Sequence, residues 1–414
     1  MDADRALERA ARESYGRLVA FLSVRSHDVA AAEDALGDAF RAALEHWPRT
    51  GVPDNPDAWL LTAARRRLID GARHDRVVAD AAAHLTREIE DARHAGANAV
   101  IPEKRLELLF ICTHPAIDAA ARAPLMLQTV LGLDAARIAS AFLVQPATMG
   151  QRLARAKAKI RRAGIPFVVP DDRVMPERLD AVLNAIYAAY GSGWDDVAGA
   201  DPRRRGLADE AIDLARLLTR LMPSQPEALG LLALMLHCEA RRDARRATDG
   251  SYVPLSSQDA RLWSAGLLEE AEACLARAAR TNRMGRFQLE AAIQSAHAAR
   301  RQTGRTDWET IALLYEGLVQ IAPTIGALVG RAAAVAEARG ADIAWQLLHE
   351  MPAESIVAYQ PYWACAARVL EQLGRHVDAC AAAERAIGLS DDPAVRRFLR
   401  GRYLSDEEMR RRSV

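Results

Sequence analysis

The sequence predicts an all-α fold, and three observations predict it. Alanine, leucine and arginine, all strong helix formers, are abundant throughout. No run of alternating β-branched residues marks a strand. Apolar residues recur instead at three- and four-residue intervals along most of the chain. At 414 residues it is too long for one small core, so two or three helical domains are expected. Aromatic residues make up only 5%, so those cores must be built largely from alanine and leucine. Lys plus Arg, 55, equals Asp plus Glu, 55, so net charge says nothing about nucleic acid and only local clustering can.

Taken in order, residues 3–23 read as an amphipathic helix with Leu7, Ala10, Ala11, Leu18 and Leu22 on one side. A second helix over 29–47 carries Glu33, Asp34 and Asp38 on an acidic side and Leu36, Phe40 and Leu44 on the other. PRTGVPDNPDAW follows, an irregular loop closed by Asn55 or Asp57 as a helix cap. The helix over 58–74 has Trp59, Leu60, Ala63 and Leu68 for burial and Arg65, Arg66, Arg67 and Arg73 as a positive side. Polar, alanine-rich residues 77–101 read as a linker with some helix, and short helices are expected over 104–110 and 118–131.

Residues 133–164 read as two helices joined by a tight turn. The first starts at Asp134, a suitable N-cap, and runs to about Phe142. The second starts near Pro146, a residue favoured at a first helical position, and ends at Arg162. Met149, Leu153, Ala156 and Ile160 form its apolar stripe, while Arg152, Arg155, Lys157, Lys159, Arg161 and Arg162 make the remainder cationic. A short helix, a turn and a longer basic helix is the arrangement by which a helix-turn-helix offers a recognition helix to the major groove. The three prolines of IPFVVPDDRVMP then mark the clearest domain boundary. Beyond it, helices are expected over 177–190, 206–222, 227–242, 259–280, 286–300, 307–321, 325–339, 343–350, 359–373 and 375–387. Their pairing and proline punctuation suggest repeats of tetratricopeptide character, strongest near the C-terminal end, although no clean 34-residue frame fits. Such stacks commonly present a concave surface to a protein partner.

Several classes are disfavoured. The N-terminus is charged from its second residue and is no secretory signal, and the longest apolar run, 228–236, is far too short for a membrane span. Five scattered cysteines lack zinc spacing and read as reduced thiols. No nucleophile–base constellation or glycine-rich phosphate loop is present. The expectation is a cytoplasmic, non-enzymatic protein without metal, cofactor or membrane partner.

AEDALGDAFRAALEHWP, NPDAWLLTAARRRLIDGARHDR and GLDAARIASAFLVQPATMGQRLARAKAKIRRAGIPF, in this order, resemble the polymerase-docking, minus-ten and minus-thirty-five segments of sigma-70-family factors of the extracytoplasmic-function type. RLELLFICTHPAID, EALGLLALMLH, FQLEAAI and TDWETIALLYEGL resemble the subgroup with a long tetratricopeptide-like helical extension. The resemblance implies four segments: a region 2-like domain over 1–76, a linker over 77–103, a region 4-like helix-turn-helix over 104–166, and the extension over 167–414. It departs from the pattern at Gly37, where the family usually has Gln, and again at 186–190 and at Gly330.

A sigma factor lends promoter specificity to core RNA polymerase, and the resemblance implies three surfaces for that work. Glu33, Asp34, Asp38 and Phe40 would dock on the polymerase. Arg49, Thr50, Asp54, Asn55, Arg65, Arg66 and Arg73 would meet minus-ten DNA, the loop holding a flipped base and the arginines neutralising phosphates. On the helix-turn-helix, Thr148, Gln151, Arg152 and Arg155 would reach minus-thirty-five base edges, while Lys157, Lys159 and Arg162 hold phosphates. The extension would regulate, with its own protein partner. The alternative reading is a stand-alone helix-turn-helix regulator whose repeat domain is the sensor; a scaffold with an incidental basic helix is the third.

Overall fold

The computed structural model describes residues 2–74, 101–142, 144–194 and 202–404. Helices dominate them, and the only β feature among the described residues is an isolated bridge between Arg246 and Tyr252. The all-α expectation holds. Residues 75–100, which include most of the expected linker, lie outside the described residues. Packing divides the chain into two compact units, Met1–Leu214 and Ala215–Val414.

In the first unit, α1 (Asp2–Glu13) and α2 (Tyr15–Ser26) replace the single expected helix. The break falls at Ser14, whose hydroxyl donates to Asp57 at 2.7 Å, and Arg17 reaches the same carboxylate at 2.5 Å. A contact 43 residues away therefore bends a stretch whose local pattern is continuous. Helix α3 (Val29–Thr50) is capped by Asp28, which accepts from the Ala30 and Ala31 amides. It runs three residues beyond the expected end and stops at Gly51, whose φ of 86° suits glycine. Its buried stripe is Val29, Ala32, Ala35, Leu36, Ala39, Ala43 and Trp47, rotated from the expected Leu36–Phe40–Leu44 line. Leu44 is exposed and Phe40 half-buried. Helix α4 (Pro56–His74) follows, with Asn55 accepting from the Ala58 amide as its cap.

Four more helices complete the part that carries the cationic segment. They are α5 (Arg105–Cys112), α6 (Ala119–Leu131), α7 (Ala135–Ala141) and α8 (Pro146–Arg162). Asp134 caps α7 through the Arg137 amide at 2.8 Å, and Met149, Leu153, Ala156 and Ile160 are buried on α8, both as the sequence predicts. Helix α2 packs on α5 and α6 as well as on α3. Contact there is close: a Cβ at Gly16 would sit 1.8 Å from the Val130 carbonyl oxygen. Helices α9 (Met175–Trp194) and α10 (Pro202–Leu221) lie past the proline-rich break. Arg178 of α9 donates to the Phe110 carbonyl of α5, and Arg137 pairs with Glu210 of α10 at 3.1 Å.

The second unit stacks successive helices: α11 (Pro226–Glu239), α12 (Ala265–Ala279), α13 (Arg286–Ala298), α14 (Trp308–Ile321), α15 (Ile325–Ala338), α16 (Ala341–His349), α17 (Gln360–Gln372), α18 (His376–Leu389) and α19 (Pro393–Tyr403). Two differences from expectation stand out. Residues 259–264 are not the start of α12 but belong to an irregular connection, in which Asp259 caps a short 3-10 turn and Trp263 is buried. Helix α19, capped by Asp392, is additional. The connection is tied back by Arg246, which pairs with Asp392 at 2.6 Å, and by Tyr252, edge-on to Phe398 at 5.5 Å. Three ion pairs link helices along the stack. Arg339 meets Glu309, Arg368 meets Glu337 and Arg402 meets Glu371, at separations of 30, 31 and 31 residues.

Candidate nucleic-acid interface

The candidate DNA- and polymerase-contacting residues all lie in the first unit. The exposed side of α8 carries Thr148, Gln151, Arg155, Lys159 and Arg162. They face solvent because the Met149–Ile160 stripe faces the core, and with 3.6 residues per turn the polar positions must then point away. Arg152 is half-buried and leans back toward the Ala120 carbonyl at 3.5 Å. Lys157 is not free: it is only 12% exposed and bonds the Glu33 carboxylate of α3. The expected phosphate role for Lys157 is therefore occupied by protein in this state.

The acidic residues of α3 separate in the same way. Asp34 is exposed, whereas Asp38 is tied to Arg41 at 2.5 Å with Arg67 at 3.9 Å. Glu33 lies at the seam with α8, and burial outweighs the nearby Lys157 ammonium in pushing its carboxyl pKa up from the ordinary value. Burial likewise raises the Tyr15 phenol, and the Glu33 and Asp34 carboxylates add to it. Phe40 is half-buried.

On the α3–α4 side the expected set is redistributed. Arg49 and Thr50 belong to the last turn of α3 and not to the loop, and the Thr50 hydroxyl donates to the His46 carbonyl at 3.0 Å. Asn55 is engaged as the cap of α4, leaving Asp54 exposed. Arg65 departs most from expectation. It is 7% exposed, with its guanidinium 4.9 Å from the Phe21 ring centre, and burial followed by the Arg25 charge pulls its pKa down to about 10. It packs the interior and does not present charge to a phosphate. Arg66 is exposed, and the Arg73 side chain lies outside the described residues.

A groove that sequence reasoning missed runs between α3 and α4. It has a volume of about 700 Å³ and is lined by Glu45, His46, Arg49, Trp59, Thr62 and Arg66. Trp59, expected in the core, is half-buried and stands as one wall, edge-on to the buried Trp47 at 5.6 Å and stacked with His46 at 6.1 Å. An aromatic face between two arginines can stack a base and hold the adjoining backbone. The signal was present in the three-residue spacing of His46 and Arg49 and the preference of tryptophan for partly wet sites, but the wall requires α3 and α4 to be neighbours.

No group of three or more His, Cys, Asp or Glu side chains gathers in metal-binding fashion among the described residues. No described helix is long and apolar enough to cross a membrane.

Two family models match parts of this chain. Residues 11–77, which span α2 to α4, match the family described as Sigma-70 region 2. The match gives residues 11–77 the character of a sigma-70 region 2 domain and supports a sigma-70-type reading of that segment. Residues 178–279 match DUF6596, a family of unknown function. The chain is 38% identical over 402 residues to "Uncharacterized protein R00370" of Rhizobium meliloti (strain 1021), covering 96% of this chain and 94% of that one, and it belongs to the same family. No solved structure matches the chain.

Proposed function

We propose that this protein is a sigma factor of the extracytoplasmic-function type, which binds core RNA polymerase and directs it to promoters, with a tetratricopeptide-like C-terminal region that regulates it. The observation that carries the reading is a pairing within one compact unit. A segment matching sigma-70 region 2 is followed by a helix pair whose second member turns Thr148, Gln151 and Arg155 to solvent above a buried stripe. Arginine at the first turns of such a helix suits a guanine edge and glutamine an adenine edge. Lys159 and Arg162 supply phosphate contacts. The Trp59 groove, flanked by Arg49 and Arg66, suits an unstacked base of the minus-ten strand, and Asp34, Asp38 and Phe40 suit the polymerase.

The test is transcription reconstituted with sigma-free core polymerase on genomic fragments. The reading expects discrete start sites that depend on this protein. At such a promoter Arg155→Ala is expected to weaken binding by about 10- to 100-fold, the equivalent of about 1–3 kcal/mol. Failure to co-elute with polymerase, together with tight binding to a palindromic site in its absence, supports the stand-alone regulator instead.

A further inference from the structure

We propose that helix α3 acts as an internal competitor for DNA: its Asp28 and Glu33 carboxylates hold Lys157 and Arg161 of α8, which would otherwise contact phosphates. The proposal rests on the nucleic-acid reading above. Lys157 bonds Glu33, and Arg161 lies 3.2 Å from Asp28, across 124 and 133 residues of sequence. Lys157 and Arg161 share one side of α8, a turn apart, as i and i+4 positions must. The reading edge of Thr148, Gln151 and Arg155 stays exposed in this state, so the clasp withholds part of the phosphate-binding charge and not the base-reading edge.

The seam is built to be separable. Beside the two ion pairs lies a cleft of about 300 Å³ whose lining includes Asp28, Glu33, Asp34, Gln128, Lys157 and Arg161. Charged side chains of both signs thus border an open space here, with Leu153 at its edge, in contrast to the sealed apolar side of α8 at Met149, Ala156 and Ile160. Ion pairs beside an open cleft exchange one anion for another at little cost, because the replacement phosphate restores the same charge-assisted hydrogen bonds. Glu33 is also among the residues that the sigma-factor resemblance would dock on polymerase, so DNA at α8 would release an acid on α3 that polymerase can use. Coupling of this kind makes each partner favour the other's binding.

The experiment measures the phosphate contribution directly. Full-length protein is titrated with a mixed-sequence DNA duplex of about 30 base pairs, without polymerase, over a range of salt. This probe needs no promoter, because phosphate contacts are sequence-independent. Asp28→Asn/Glu33→Gln removes the competing charges, while the amide oxygen introduced by the first change can still cap α3. Binding is expected to tighten about tenfold near 0.1 M salt, and the slope of log affinity against log salt to steepen by about 1–2. Glu8→Gln/Glu13→Gln makes the same charge change on exposed α1 positions and is expected to shift binding less than about twofold. A second variant, Glu33→Lys/Lys157→Glu, restores the pair with reversed sign and is expected to bind the duplex no more tightly than the natural chain. No gain for the first variant in a chain of unchanged circular dichroism overturns the proposal, whether or not the natural chain binds. So does an equal gain for the α1 control. Failure of transcription with a gain in duplex binding would count against the sigma-factor reading alone.

Discussion

The two compact units are both helical, yet they are held together differently. In the first, side chains join helices far apart in sequence: Ser14 and Arg17 reach Asp57, Lys157 reaches Glu33 and Arg178 reaches the Phe110 carbonyl. In the second, each helix packs mainly on the next ones, and the ion pairs of Arg339, Arg368 and Arg402 each span 30 to 31 residues. Longer ties occur there too: Glu227 accepts from the Phe287 and Gln288 amides, 60 and 61 residues on, and Arg246 reaches Asp392 across 146. A stack of near neighbours gains stability in increments, and a unit closed by distant contacts gains it together. The second design suits a surface that can lengthen, and the first suits a seam that can open.

Loss of a buried tryptophan should distinguish the two designs most clearly. Trp47 is 1% and Trp263 2% exposed, so either one replaced by alanine is expected to cost about 3–5 kcal/mol. Hydrogen exchange should show Trp47→Ala deprotecting residues throughout α1–α4, α5 and α6. Trp263→Ala should act chiefly on its neighbours α11–α13. Uniform deprotection of α11–α19 by Trp263→Ala would remove the contrast.

Acid comes next. Burial, with the Arg241 charge second, pulls His237 and His297 down to about 4 in the second unit. A folded pKa below the unfolded value of about 6.5 means the unfolded chain binds more protons in between. Their contribution is therefore complete above pH of about 6.5 and is lost as pH falls toward 4, on the order of 3 kcal/mol for each histidine. Urea titrations at pH 7 and pH 5 followed by exchange in α11–α14 check this, and equal midpoints would refute it. His237, whose Nε2 is 3.5 Å from Glu272, lacks a hydrogen bond at either ring nitrogen, so His237→Phe is expected to reduce the acid sensitivity.

Two glycines sharpen the comparison at about the 1 kcal/mol level. Gly37 on α3 has open space around a prospective Cβ, so Gly37→Ala is expected to stabilise the first unit by about 1 kcal/mol, read as a shift in denaturation midpoint. At Gly230 on α11 the same atom would meet the Gln288 backbone nitrogen at 2.6 Å, so Gly230→Ala is expected to destabilise in spite of its better helix propensity. The smallest effect belongs to the ion-pair ladder: Arg368→Ala, at a side chain 43% exposed, should cost below about 1 kcal/mol and less at high salt.

What was legible in the sequence was local. Asp134 before α7, Pro146 at the start of α8 and the four-three-four spacing of its apolar residues placed that helix pair within a residue or two, because capping and periodicity act over one or two turns. The proposed DNA-contacting residues Thr148, Gln151, Arg155 and Arg66 face solvent for the same reason. Residue types and their spacing were enough for the helical class, most helix bounds and the exposed edge of α8. Only the tertiary structure decided that Ser14 breaks a helix, that Arg65 is buried against Phe21, that Trp59 lines a groove and that Lys157 is held by Glu33. Each of those outcomes is a contact between residues 40 or more positions apart, or between neighbouring helices whose pairing no single periodicity encodes. A charged side chain on an amphipathic helix looks the same in sequence whether water, an aromatic ring or a carboxylate receives it, and the free energies of those alternatives differ only once the partner is in place.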